Sequence, residues 1–240
     1  MNAITSSLAA IWTSSIGKKI IVALTGIFLV LFLAGHLVGN LLIFAGPEMF
    51  NDYAYFLHHM IHGMGIWLFR AVMIGMLAAH IAATVSLTLQ NRAARQPYEC
   101  KAVIQASTAS RTMIWSGLTI LVFFIYHMLH FTARVGNQYD TLPRYKETVL
   151  SNGVPLERHN AWLMVVDGFG VWYVSFFYVL AMTLLCLHLS HGFASIFQTL
   201  GLRPKKSESA IKHLSLAYSA VIWLGFISIP LAILFGIVKP

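Results

Sequence analysis

Four histidines inside apolar stretches are the residues whose type and spacing offer chemistry. His36 lies deep in residues 26–40, GIFLVLFLAGHLVGN. An imidazole in hydrocarbon is costly without a partner, and the chain repeats the arrangement. Residues 116–131 read SGLTILVFFIYHMLHF, where Gly117 precedes His127 by ten residues, as Gly26 precedes His36. Phe123 matches Phe32, and Ser116 matches Thr25. A second pair follows: His80 opens HIAATVSLTL and His191 opens HGFASIFQTL, with Ala83 on Ala194, Thr84 on Ser195 and Val85 on Ile196. Two pairs of helices, each helix with one buried histidine, predict two bis-histidine sites.

The elements that must position these residues are membrane spans. Of 240 residues, 58% are hydrophobic and 10% charged, and the mean hydropathy is +0.73. Soluble domains carry about 25% charged residues. Five stretches reach the ~20 residues a span needs: about 20–45, 66–90, 111–134, 171–198 and 213–237. Open sheet edges are excluded from lipid, so the expected fold is an all-α integral membrane protein. It forms a single domain over 1–240, its first four helices a bundle around the histidines. Pro230 should kink the fifth span. No basic region followed by a cleavage site marks residues 1–19 as a secretory signal, and Leu8, Ile11 and Trp12 fit a short interfacial helix.

The net charge of +8 gathers at one end. The N-terminus and the 91–111 and 199–212 segments hold ten basic and two acidic residues, and the opposite side six of each. That asymmetry is a topology signal rather than a nucleic-acid stripe, and it predicts a cytoplasmic N-terminus and an outside C-terminus. The outer segments 46–65 and 135–170 are expected to cap the bundle with short interfacial helices. Cys100 and Cys186 are isolated, so neither a disulfide framework nor a CxxC motif arises, and CxxCH haem attachment is excluded.

At 1.5 Å per residue, His36 and His127 lie about 25 Å from the basic ends of their helices, and His80 and His191 about 10–15 Å. Matched depths pair His36 with His127 and His80 with His191, on alternate helices, so that a flat macrocycle fits between each pair. Taken singly, each histidine is equally a polar residue bonded to a neighbouring serine or carbonyl. Four at matched depths with matched flanks favour ligation. Zinc needs a third ligand that neither pair offers, so two haems b with bis-imidazole iron fit better. His130 and His188, each three residues from a proposed ligand, are the alternatives. His58, His59 and His62 in FLHHMIHGMG are candidates for a quinone site. Arg70 and Arg134 are candidates for haem propionates, and His159 and His213 read as surface or helix-end residues.

The motifs TGIFLVLFLAGH ending at His36, MLAAH ending at His80, SGLTILVFFIYH ending at His127, and LSHGFASIFQTLG around His191 carry a resemblance over nearly the whole chain. The sequence resembles the single-chain dihaem cytochrome b anchor of succinate:quinone oxidoreductases, the class that includes menaquinone-linked fumarate reductases. The resemblance implies the haem ligands above. It also implies a flavoprotein subunit with FAD and an iron–sulfur subunit docked on the cytoplasmic face. The membrane is then the bacterial inner membrane, and the function is electron transfer in the respiratory chain between the iron–sulfur subunit and a quinone, menaquinone by family. This chain carries neither GxGxxG nor a cysteine cluster, so succinate chemistry belongs to the partners. Relatives that move protons on intramembrane carboxylates differ from this chain, whose span interiors hold no Asp or Glu. Two other readings stay open: the dihaem anchor of a hydrogenase or formate dehydrogenase, and a haem-free transporter.

Overall fold

The computed structural model describes residues 9–94, 108–151 and 153–240. Cys100, Leu8 and most of the basic 91–110 loop lie outside the described residues. A helical turn over 9–13 leads into α1 (Ser15–Leu41), which a 3-10 turn (Leu42–Ala45) extends. Then follow α2 (Pro47–His59), α3 (Met64–Ala93) and α4 (Thr108–His127), the last ending in a π turn (Met128–Thr132). A hairpin of β1 (Lys146–Ser151) and β2 (Val154–His159), α5 (Ala161–Gly170), α6 (Trp172–Thr199) and α7 (Glu208–Leu234) complete the fold.

Five helices are long and apolar enough to cross a membrane, at Ser15–Ala45, Met64–Ala93, Arg111–Thr132, Trp172–Thr199 and Glu208–Leu234. They coincide with the five expected spans, with ends displaced by a few residues. The fifth starts five residues early, because Glu208 in its first turn suits a helix N-terminus. Pro230 is buried inside α7, which stays helical through it. The spanning helices form two packed pairs, α1 with α3 and α4 with α6, while α7 packs against α6 and α1. α6 and α7 supply most of the buried apolar wall, including Leu185, Leu189, Ile222 and Ile227, against Leu37 of α1. By contrast, α3 buries only Gly65 and Ala83.

The cap departs from the expectation of helices alone. Lys146–Ser151 and Val154–His159 pair as antiparallel strands, with Glu147 opposite Arg158, so the described chain is predominantly rather than wholly α-helical. A polar knot explains it. Arg158, 9% exposed, pairs with Glu147 at 2.6 Å and with Asp52 of α2. Asn51, fully buried, donates to Glu147 at 2.9 Å and to Asn160 at 3.1 Å, and accepts from the Trp162 backbone N–H at 2.8 Å. Asn160 in turn caps α5 by accepting from the Leu163 N–H at 2.9 Å. These bonds tie α2, the hairpin and α5 into one lid beside the C-terminal end of α1, where Trp162 Nε1–H donates to the Ile43 carbonyl at 3.2 Å.

Two predictions arise here. A Cβ on Gly225 would stand 2.7 Å from both methyls of Leu37, which is buried next to His36. Overpacking costs about 1–3 kcal/mol, against the roughly 1 kcal/mol that alanine gains in a helix. Gly225→Ala should therefore lower the unfolding temperature in detergent, read by scanning calorimetry. Second, His159 sits partly buried in the lid, its Nε2 shielded without a hydrogen-bond partner. Burial first, and then the charge of Arg134, lower its pKa from 6.5 to about 4. Between those values the unfolded chain holds the extra proton, so stability falls as pH falls through that window. Unfolding followed at about pH 7 and about pH 4.5 should show a drop that His159→Gln reduces.

Candidate functional site

The repeat seen in the sequence returns as repeated geometry. On the first helix pair, His80 Nδ1 lies 3.0 Å from the Thr25 hydroxyl. On the second, His188 Nδ1 lies 3.2 Å from the Ser116 hydroxyl. Each hydroxyl already donates within its own helix, Thr25 to the Ile21 carbonyl at 2.6 Å and Ser116 to the Met113 carbonyl at 3.1 Å. Each hydroxyl oxygen therefore accepts, and the network assigns the proton to Nδ1 of both rings. That tautomer leaves both Nε2 lone pairs free, the form a metal-binding imidazole needs when its other nitrogen is held by a partner. The adjoining glycines correspond too. A Cβ on Gly26 would stand 3.8 Å from Cε1 of His80, and a Cβ on Gly117 would stand 3.5 Å from Cε1 of His188.

The expected inner partner was His191. In the structure it is His188 that has the partner corresponding to that of His80, Ser116 on one ring and Thr25 on the other. His188 and His191 are three residues apart, nearly one turn, so both point to the same side of α6. The downstream flanks set the repeat in register at His191, whereas the hydroxyl contacts of Thr25 and Ser116 set it at His188.

Toward the cap, His36 and His127 face each other with ring centroids 5.9 Å apart and planes at 83°. Each stacks on the aromatic ring four residues before it: Phe32 on His36 at 5.1 Å, Phe123 on His127 at 5.8 Å. Two imidazoles sharing one metal would have centroids about 6 Å apart, given metal–nitrogen bonds of about 2 Å. Two imidazoles at this separation, one from each helix pair, would be able to hold one metal ion or haem iron between them. Among the described residues, no group of three or more His, Cys, Asp or Glu side chains converges as a metal cage.

Arg134 ends the π turn in the left-handed region at φ 53°, pairs with Asp140, and keeps a buried Nε without a hydrogen-bond partner. Arg70 lies within the electrostatic reach of Arg134, its guanidinium 5.0 Å from the centre of the Trp67 ring. The unpartnered Nε of Arg134 is a donor left free at this end of the bundle. His58, His59 and His62 are exposed. The first two turn a ring nitrogen to their own helix, at Ala54 O (2.8 Å) and Tyr55 O (2.9 Å), and His62 lies in the left-handed turn before α3. His213 is exposed and bonded to Ser209 O at 2.8 Å.

Sequence reasoning missed Tyr178. Its hydroxyl lies 3.3 Å from His127 Nδ1 and 3.2 Å from His130 Nδ1. The π turn brings two histidines three residues apart onto one hydroxyl, a distortion frequent at functional sites. A tyrosine near the end of a span reads in sequence as an interface aromatic, so only the fold exposes its role. Compared with protein-family models, curated proteins and solved structures, the chain matches none of them.

Proposed function

We propose that this chain is a dihaem cytochrome b that anchors a succinate:quinone oxidoreductase in the bacterial inner membrane. The observation that carries the reading is the duplicated hydroxyl–imidazole–glycine unit, Thr25–Gly26–His80 and Ser116–Gly117–His188, beside the duplicated stacks on His36 and His127. His36 with His127 holds the haem near the cap, and His80 with His188 the haem near the basic end. Haem b, when bound, supplies one-electron transfer. The chain's own part is to fix the imidazole tautomers through Thr25, Ser116 and Tyr178, and to keep both sites in a low-dielectric surround. Arg70 and Arg134 pair with carboxylates at the cap end. The basic face carrying Lys19, Arg92, Arg111, Lys205 and Lys206 is cytoplasmic and receives the iron–sulfur and flavoprotein subunits.

The test is affinity purification of the tagged chain from its native membrane. Two companions, one with FAD and one with iron–sulfur clusters, and haem reduction on adding succinate are expected. A hydrogenase or formate dehydrogenase as companion would overturn the succinate assignment.

A further inference from the structure

Away from the histidines, a cavity of about 200 Å³ lies between α5 and the end of α7. Val166, Asp167 and Gly170 of α5 line one side, and Ile233, Val238 and Lys239 the other. Its level in the fold is that of a membrane surface. Gly170 ends α5 two residues before Trp172, where α6 begins its span, and Ile233 lies one residue before the end of α7. Trp172 and Tyr173 are exposed there, and such aromatics belong at the lipid–water boundary.

Both signs of charge meet in this cavity. Asp167 is held from behind: the hydroxyl of buried Tyr145 donates to its Oδ2 at 2.7 Å, and Arg144 pairs with the same oxygen at 2.7 Å. Arg144 also lies over the Tyr145 ring, 5.4 Å from its centre. Oδ1 takes no hydrogen bond from the described residues, so one acceptor oxygen is left over. Lys239 has no carboxylate partner among the described residues. Gly236, at φ 69°, turns the chain back at the end of α7. The Ile237 and Val238 N–H groups then donate to the Ala232 carbonyl at 2.8 and 3.2 Å, which brings Lys239 to the cavity. Phe235 and Ile237, 76% and 75% exposed, add open apolar surface beside it in the chain.

A carboxylate oxygen and an ammonium on one small space, at membrane level, match a ligand with the opposite charges in the opposite order. We propose that this cavity seats the head group of a zwitterionic phospholipid with a primary amine, of the phosphatidylethanolamine class. The lipid ammonium donates to Asp167 Oδ1, the phosphate pairs with Lys239, and the acyl chains run along Phe235 and Ile237 into the bilayer. Arg144 and Tyr145 position the carboxylate. A choline head group has no N–H to donate, and a glycerol head group brings no positive charge to Asp167. The site is independent of the haem reading.

The test is isothermal titration of the purified full-length chain, stripped of bound lipid. The probes are dihexanoyl-phosphatidylethanolamine, its choline and glycerol counterparts, and free phosphoethanolamine. One saturable site for the ethanolamine lipid is expected, with binding of the other two lipids weaker by about tenfold, the loss of charge-assisted hydrogen bonds. A Cβ on Gly170 would meet nothing within 4 Å, so Gly170→Leu fills the cavity and should abolish binding with the melting temperature unchanged. Lys239→Gln should weaken the ethanolamine and choline lipids alike. Asp167→Asn should erase the preference between them, which a merely loosened lid would not do. Equal binding of all the lipids by the parent chain, or undiminished binding in Gly170→Leu, overturns the site. A preference that survives Asp167→Asn overturns the role of Asp167. Tightest binding of the glycerol lipid overturns the zwitterion, and free phosphoethanolamine binding as tightly as the lipid overturns the membrane source.

Discussion

Replacing His188 with alanine is expected to remove one of the two proposed haems b, while His191→Ala is expected to leave both. Ser116 holds His188 by Nδ1 as Thr25 holds His80, and His191 has Arg203 in its surroundings instead. A lost axial ligand empties a bis-imidazole site, so the expected haem content of His188→Ala is one per chain, with the remaining signal that of the His36–His127 site. Ser116→Ala makes a subtler companion. It takes away the acceptor for Nδ1–H and should lower haem retention by 10–100-fold in affinity, the usual loss for an outer-shell partner. The measurement is a pyridine haemochrome count with reduced-minus-oxidised spectra for each variant. Equal haem content in His188→Ala and the parent chain would contradict the assignment.

Asn51→Ala should be the most damaging substitution outside the helix bundle. The side chain is fully buried and makes three hydrogen bonds, linking α2 to Glu147, to Asn160 and to the Trp162 backbone. Each buried group left unsatisfied costs about 1–3 kcal/mol, and the Trp162 N–H is one such group in the variant. Loss of more than about 3 kcal/mol is expected, with the hairpin opening first. Limited proteolysis checks it: cleavage between β1 and β2 should speed up in the variant, while the spanning helices stay protected.

Much of this architecture is legible in the sequence because membrane insertion imposes one dominant rule. Twenty apolar residues closed by Arg92 or opened by Arg111 mark a span whatever its neighbours do. Depth along a helix is equally readable, since rise per residue is constant, and it brings His36 to His127. Rotation and register are less so. Whether His188 or His191 meets Ser116 depends on a shift of less than one turn, which the flanking Ala194 and Ser195 do not resolve. The lid's hairpin is not legible in the sequence because it is held by long-range polar bonds, Arg158 to Asp52 and Asn51 to Glu147, about a hundred residues apart in sequence. No local pattern encodes such pairs. The meeting of His130 with Tyr178 falls in the π turn at Met128–Thr132, which has no sequence signature of its own.

The most direct test of the central claim is the haem stoichiometry of the purified chain, joined to low-temperature electron paramagnetic resonance of its oxidised form. Two haems b per chain are expected, each with the low-spin spectrum of bis-imidazole iron. Folded protein that carries no haem, when expressed with ample haem supply, would contradict the account.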